Sequence, residues 1–179
     1  MAAAGRIRMI DYRNAVNTDG DSLDEMARRV WLATFAHSAP AGDIEAYVAN
    51  AYGPRGMLRR HLADPAYDFQ IALKGGEVIG YCKVGPTFFD GEVPTDNTLH
   101  LHQLYVDPAA HGSGVAVHLL DWAYDVAQRR GHHAILLTVW EENHRARAFY
   151  AKHGFVHVGD YAFKTGGQID RDLIMRREL

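Results

Sequence analysis

Cysteine is almost missing from this chain. Cys82 is the only one among 179 residues, so no internal disulfide framework can form and a reducing compartment is expected. Long apolar runs are missing as well, and none approaches the length needed to span a membrane. Residues 1–8, Met-Ala-Ala-Ala-Gly-Arg-Ile-Arg, lack the apolar segment of a secretory signal, so a cytoplasmic location is expected. There is no basic excess. Lys and Arg total 19 against 22 Asp and Glu, a net charge of −3, which gives no ground for a general nucleic-acid affinity. No repeat, low-complexity tract or long linker divides the chain, so residues 1–179 are expected to form one domain. What remains is an ordinary globular composition, 47% hydrophobic and 23% charged.

Periodicity orders the elements. Ile7 to Ala15 reads as a first strand. Ser22-Leu-Asp-Glu25 fits a capping box, and Leu23, Met26, Ala27, Val30, Trp31 and Phe35 follow at helical spacing. Further helices are predicted over Ala41 to Tyr52 and Met57 to Ala63. Phe69 to Lys74 and Val78 to Val84 flank Gly75-Gly76 as a hairpin. Then come a strand from Leu99 to Val106, a helix from Val115 to Arg130, a strand from Ala134 to Trp140 and a helix from Asn143 to His153. Strands from Phe155 to Lys164 and Asp170 to Arg176 end the chain. Ala134 to Trp140 is nearly all apolar, as expected of a strand covered on both faces. The strand–helix–strand unit in the middle implies a parallel crossover. The fold class is α/β (α+β): a mixed, mostly antiparallel sheet with a central parallel strand pair and helices on both faces.

The most informative stretch runs from Val106 to Ala116, Val-Asp-Pro-Ala-Ala-His-Gly-Ser-Gly-Val-Ala. A strand emptying through glycines into a helix N-terminus gathers free N–H groups and the positive end of a helix dipole. The turn carries no Lys or Arg, so backbone groups must supply most of the attraction for an anion. A tight turn without a ligand would use the same glycines. Asn143-His-Arg-Ala-Arg-Ala-Phe-Tyr-Ala-Lys-His-Gly-Phe155 is the second signal. Asn143 and Tyr150 lie close to two helical turns apart and so share a face. Taken alone, Asn143 is a helix cap and Tyr150 a core aromatic.

The two motifs together resemble the GCN5-related N-acetyltransferases, or GNAT family. The family's phosphate loop, Arg/Gln-x-x-Gly-x-Gly/Ala, is matched by His111-Gly112-Ser113-Gly114-Val115-Ala116, with His111 where Arg or Gln is usual. Its later helix, Asn-x-x-Ala-x-x-Phe-Tyr-x-x-x-Gly-Phe, is matched at Asn143, Ala146, Phe149, Tyr150, Gly154 and Phe155. The ending, Trp140-Glu-Glu-Asn143, Gly159-Asp-Tyr-Ala-Phe163, Gly167-Gln-Ile-Asp170 and Ile174-Met, is similar to the polyamine-acetylating, PaiA-like branch.

The resemblance implies a GNAT-like acyl-CoA N-acyltransferase fold and acetyl-CoA as co-substrate. It implies that His111, Gly112, Ser113, Gly114, Val115 and Ala116 hold the pyrophosphate and that Asn143 hydrogen-bonds the cofactor. Tyr150 acts on its sulfur, and backbone N–H groups near Leu104, Tyr105 and Val106 polarise the thioester carbonyl. Tyr150 makes chemical sense as an acid, because a thiol near ~8.5 and a phenol near ~10 leave a gap of roughly 1.5 units. The family's frequent Glu base falls at His100, and His102 lies two residues on, on the same strand face. Either histidine relays a proton through water, with an apparent pKa near ~6.5, or both are polar residues of a half-exposed strand. The pair alone does not make a metal site, since no third and fourth ligand stand at a recognisable spacing, and no metal is expected. Cys82 reads as a buried, inert thiol. Asp90, Glu92, Asp96, Asp160 and Asp170 either favour a cationic acceptor or are a solvated surface.

The expected function is acetyl transfer from acetyl-CoA to a primary amine, a polyamine or other small amine, by direct displacement in a ternary complex. Two alternatives stand beside it: a protein N-terminal or lysine acetyltransferase, and an acyl-CoA-binding sensor with little turnover. The expected partners are acetyl-CoA and the amine acceptor, with no nucleic acid or membrane, in a monomer or homodimer.

Overall fold

The computed structural model of the chain describes residues 9–89 and 93–179. Ile7 and Arg8 of the predicted first strand, and Asp90 and Glu92 of the acidic loop, lie outside them. The strands are β1 (Ile10–Asn14), β2 (Asp68–Lys74), β3 (Glu77–Gly85), β4 (Thr98–Val106), β5 (Ala134–Trp140), β6 (Val156–Thr165) and β7 (Gln168–Glu178). They form one sheet in the order β1-β2-β3-β4-β5-β7-β6. The β4–β5 pair is parallel and the others described are antiparallel. The helices are α1 (Gly20–Phe35), α2 (Ala41–Ala51), α3 (Met57–Leu62), α4 (Val115–Arg129) and α5 (His144–Lys152).

Each sheet face has its own core. Helices α4 and α5 cover Leu99, Leu101, Ile135, Leu137 and Val139, whereas α1, α2 and α3 cover Phe69, Ile71 and Tyr81. Helix α4 buries Val115, Leu119, Leu120, Ala123, Val126 and Ala127 along one stripe, as its sequence periodicity predicts. Each of the larger side chains contributes about 1.5–3 kcal/mol by leaving water. The helix lies so close to β3 that a Cβ at Gly80 would meet Val115 Cγ1 at 3.0 Å. Strand β5 is buried on both faces, with Leu136 packing into a third cluster beside Phe89, Val93 and Ile174.

One irregularity positions the site. In the β3–β4 ladder Lys83 pairs with Gln103 but Val84 pairs with Leu101, so His102 is an extra residue on β4. Such a bulge bends its strand. On the other edge, β4 stays with β5 only at Thr98–Ala134, Leu99–Ile135 and His100–Leu136. Beyond that point the two strands part.

The capping box at Ser22 is corrected. Helix α1 already begins at Gly20, with Asp19 as its N-cap, and Ser22 lies inside its first turn. The Asp19 carboxylate accepts the Val16 N–H at 2.8 Å and pairs with Arg13 at 2.7 Å, which fixes an earlier turn and lets the helix start ahead of the expected cap.

Candidate active site

The parting of β4 and β5 opens a cleft of about 350 Å³. One end is lined by Val106, His111, Ala116, Asn143, Arg145 and Tyr150, the other by Trp31, Tyr47, Thr138, Trp140, Phe163 and Asp172.

At the first end the backbone does most of the building. Gly112 and Gly114 stand at φ +78° and +87°, the left-handed region that glycine enters without strain, and a Cβ at either would meet nothing within 4 Å. The space above the turn is therefore open to a ligand. Gly114 is the N-cap of α4, whose first N–H groups have no partner within the helix. Asp107 fastens the approach. Its carboxylate accepts the Ala109 N–H at 2.9 Å and pairs with Arg29 of α1 at 2.6 Å. Those two contacts hold Asp107 below the usual carboxylate range, the Ala109 hydrogen bond being the larger cause. Ser113 Oγ donates to the Ala110 carbonyl at 2.5 Å.

The turn itself lacks a cation, and the fold brings one. Arg145, in the first turn of α5, donates to His111 Nδ1, while His111 Nε2 donates to the Val106 carbonyl at 3.1 Å. An arginine can only donate, so Nδ1 accepts and Nε2 is the ring's donor. Sequence reasoning missed Arg145, although it stands two residues after the Asn143 that it singled out.

Strand alternation aims the backbone donors. The Asp107 N–H donates to Ile79 O on β3 at 2.8 Å, so the Leu104 and Val106 N–H groups point the other way, into the gap left by β5. The Tyr105 N–H points with Asp107 toward β3, and its side chain packs on the α1 face against Tyr81. Of the three positions expected near the thioester carbonyl, Leu104 and Val106 aim their N–H groups into the gap, while Tyr105, which also lines the cleft, aims its own toward β3.

Asn143 caps α5, its side-chain oxygen accepting the Ala146 N–H at 3.1 Å. Tyr150 lies on the same helix, lines the same cleft and packs edge-on against Phe155. Burial pushes the Tyr150 hydroxyl well above its ordinary range. The gap of roughly 1.5 units expected between phenol and thiol widens accordingly. Tyr150 keeps its proton and is suited to donating a hydrogen bond rather than surrendering it.

His100 and His102 do share a face, their rings stacked at 4.0 Å. The expected titration near 6.5 is corrected. Burial, then nearby Lys83, push His100 down to about 3. Burial, then His100 and Lys83, push His102 down to about 2. His100 is 1% exposed and wedged against Phe88 and Phe89, outside the cleft lining. His102 reaches the cleft, with Nε2 at 2.9 Å from the Pro86 carbonyl. Imidazoles this weakly basic make poor acceptors for an ammonium proton. Burial pushes the Cys82 thiol up, as suits an inert group. Among the described residues, no group of three or more His, Cys, Asp or Glu is placed to hold a metal ion, and no helix is long and apolar enough to cross a membrane.

The second end of the cleft is built from side chains that sequence reasoning did not gather. Trp31 stacks on Tyr47 at 4.5 Å, and Tyr47 in turn meets Phe163 at 5.7 Å. Phe35 meets Trp140 at 5.7 Å. Among these rings sits Asp172, 8% exposed. Burial pushes its carboxyl up to about 7, with Asp170 and Glu141 adding to the rise and a hydrogen bond from Thr138 opposing it. Asp160 and Asp170, considered earlier for a cationic acceptor, diverge: Asp160 pairs with Arg171 and His157 on the surface, while Asp170 lines the cleft beside Asp172.

Comparison with known proteins places the fold in a family. Residues 23–155 match the Acetyltransferase (GNAT) family. An uncharacterised N-acetyltransferase of Mycobacterium tuberculosis is 31% identical over 163 residues, covering 90% of this chain and 99% of its own. The N-alpha-acetyltransferase RimI of the same organism is 31% identical over 128 residues, covering 70% of this chain and 77% of its own. In fold, the chain is similar to the PaiA N-acetyltransferase of Thermoplasma acidophilum, solved in complex with coenzyme A. Its TM-score is 0.73 at 24% identity, covering 96% of this chain and 99% of that one. With the family match spanning most of the chain, this protein belongs to the GNAT acetyltransferase family.

Proposed function

We propose that the protein transfers the acetyl group of acetyl-CoA to the primary amine of a small molecule by direct displacement, with both substrates in one cleft. The observation that carries this reading is the opening between β4 and β5, which joins a glycine cradle at one end to a buried carboxylate at the other. The open space above Gly112 and Gly114, the free N–H groups of α4 and the Arg145 guanidinium suit a pyrophosphate. Acetyl-CoA supplies an activated acyl group as a thioester. The Leu104 and Val106 N–H groups stabilise charge on its carbonyl oxygen, and the Tyr150 hydroxyl hydrogen-bonds the departing sulfur. Asn143 holds the start of α5, and so the placement of Arg145 and Tyr150. Cys82, the chain's one thiol, is buried and un-ionised and so unsuited to carry a covalent acyl intermediate.

The relative named an N-alpha-acetyltransferase favours a second reading, in which the acceptor is a protein α-amino group. The test is CoA release from acetyl-CoA with a panel of small primary amines, spermidine and an alanine-starting peptide, with product mass as the second readout. Release with small amines supports the proposal, and release with the peptide alone supports the second reading. Binding of acetyl-CoA with no release above background would leave a sensor.

A further inference from the structure

We propose that the aromatic-walled pocket around Asp172 is the acceptor site, that it takes a primary ammonium on an apolar stem, and that the Asp172 carboxylate is both its counter-ion and the first acceptor of its proton. This deepens the acyl-transfer reading above and rests on it.

The register builds the pocket. Asp172 lies opposite Trp140 on β5 and opposite Tyr161 on β6, so the three side chains share one face across three neighbouring strands. Helices α1 and α2 close over that face with Trp31, Phe35 and Tyr47. The neighbouring arginine does not neutralise the carboxylate. Arg171 points to the other face and pairs with Glu141 at 3.1 Å and Asp160 at 2.9 Å. Among the described residues no cation pairs with Asp172. The groups facing it are Asp170 on β7, Glu141 after β5, Tyr47 on α2, Tyr105 on β4 and Tyr161 on β6, with His37 against Trp140 from the α1–α2 connection. Not one of them supplies a fixed positive charge.

A buried carboxylate without a cation calls for a cationic ligand. Aromatic faces around it add cation–π attraction and accept an apolar stem. The same walls select against a polyamine. One ammonium finds Asp172, but each further ammonium must leave water among Trp31, Phe163 and Tyr47, where Asp170 is the one further carboxylate in the described lining and Glu141 is already paired with Arg171.

The chemistry balances. The ammonium R–NH₃⁺ gives one proton to the Asp172 carboxylate. The freed nitrogen lone pair forms a bond to the thioester carbonyl carbon, and the C–S bond breaks. The second N–H proton passes to the departing sulfur, giving R–NH–CO–CH₃ and CoASH, and Asp172 returns its proton to water. A lysine-like ammonium near ~10.4 lies roughly 3 units above a carboxyl at about 7, against more than 7 units above His100 at about 3.

The experiment compares wild type with Asp172→Asn, using 2-phenylethylamine and spermidine as acceptors. Wild type should prefer 2-phenylethylamine in kcat/KM. Its kcat/KM should rise with pH to about 7 and stay level until the amine itself deprotonates near ~10. Asp172→Asn should lose about 100-fold or more in kcat/KM, and its residual rate should climb without a plateau toward the amine's own pKa. Acetyl-CoA binding should be unchanged. A carboxyl whose folded pKa is raised costs stability as pH rises from its unfolded value through about 7, so Asp172→Asn should melt no lower than wild type at pH 8. Calorimetry of 2-phenylethylamine on the CoA-loaded protein gives a readout without turnover. Binding in wild type and loss in Asp172→Asn support the pocket whether or not acetyl transfer occurs. Wild-type kcat/KM with an unchanged pH profile in Asp172→Asn, preference for spermidine, or no amine binding would each overturn the proposal. Absence of CoA release with every amine would instead overturn the acyl-transfer reading alone.

Discussion

The two ends of the cleft are made differently. The end proposed for the cofactor is backbone: left-handed Gly112 and Gly114, the N-terminus of α4, and the outward N–H groups of Leu104 and Val106. The end proposed for the acceptor is side chain, with Trp31 and Phe35 from α1, Tyr47 from α2, Thr138 and Trp140 from β5, Phe163 from β6 and Asp172 from β7. Backbone donors are the same whatever the residue, so a site built from them suits a ligand common to a whole family. A pocket of side chains changes with each substitution, so it suits the ligand by which members of that family differ.

The largest expected effect falls between the two ends. Tyr150→Phe removes one hydroxyl and keeps the ring that packs on Phe155. It should lower kcat by about 10²–10⁴ while leaving acetyl-CoA affinity within a few-fold, because in the proposed reaction the hydroxyl acts on charge that develops in the transition state. Single-turnover rates beside equilibrium binding separate the two quantities. Equal kcat in the two proteins would leave Tyr150 as packing and break the link between the ends.

The next effect isolates the backbone end. Gly112→Ala keeps the space free, since the added Cβ meets nothing within 4 Å, but forces φ +78° on a residue that resists it. The turn should relax and its N–H groups lose their aim. The rise in melting temperature that acetyl-CoA gives the wild type should shrink, with KM for acetyl-CoA up by about ten-fold and KM for the amine unmoved. An undiminished thermal shift would show that the left-handed turn is not what holds the ligand.

The same division explains what could be read from the chain. The cofactor end is contiguous: strand, glycines and helix follow one another in residues 99–129, and the α5 motif spans 143–155. Local periodicity and turn chemistry therefore expose them. The acceptor end is scattered from Trp31 to Asp172, and only the sheet order β5-β7-β6 sets Trp140, Asp172 and Tyr161 side by side. One trace was available. In Ile169-Asp-Arg-Asp-Leu173, alternation puts Asp170 and Asp172 on one face and Arg171 on the other, yet nothing local says which face α1 and α2 will cover. The bulge at His102 left no composition signal either. Of the two expected half-exposed histidines, His100 is buried under Phe88 and Phe89, whereas His102 stays partly exposed with the His61 and Tyr67 rings close by. Burial, a tertiary property, sets their basicity.

The smallest expected effect tests how purely the cofactor end is backbone. The stretch from Val106 to Ala116 contains no Lys or Arg, and the His111 ring is engaged by the Val106 carbonyl and by Arg145. Arg145 is the cation that the fold adds, reaching His111 from the first turn of α5. It is exposed, so water and salt screen it, and its pull on a phosphate is modest. Arg145→Ala should raise KM for acetyl-CoA by about 3–10-fold, with kcat and the amine's KM nearly unchanged. Screening supplies the sharper measurement. Between 50 and 500 mM NaCl, wild-type affinity for acetyl-CoA should fall more steeply than that of Arg145→Ala, because the variant has lost the charge that salt attenuates. Arg145→Lys should recover the salt response but only part of the affinity, since a point charge replaces a planar fork. Identical KM values and salt slopes in wild type and Arg145→Ala would mean that the N–H groups of the turn and of α4 hold the phosphates unaided, and the cofactor end would then be backbone throughout.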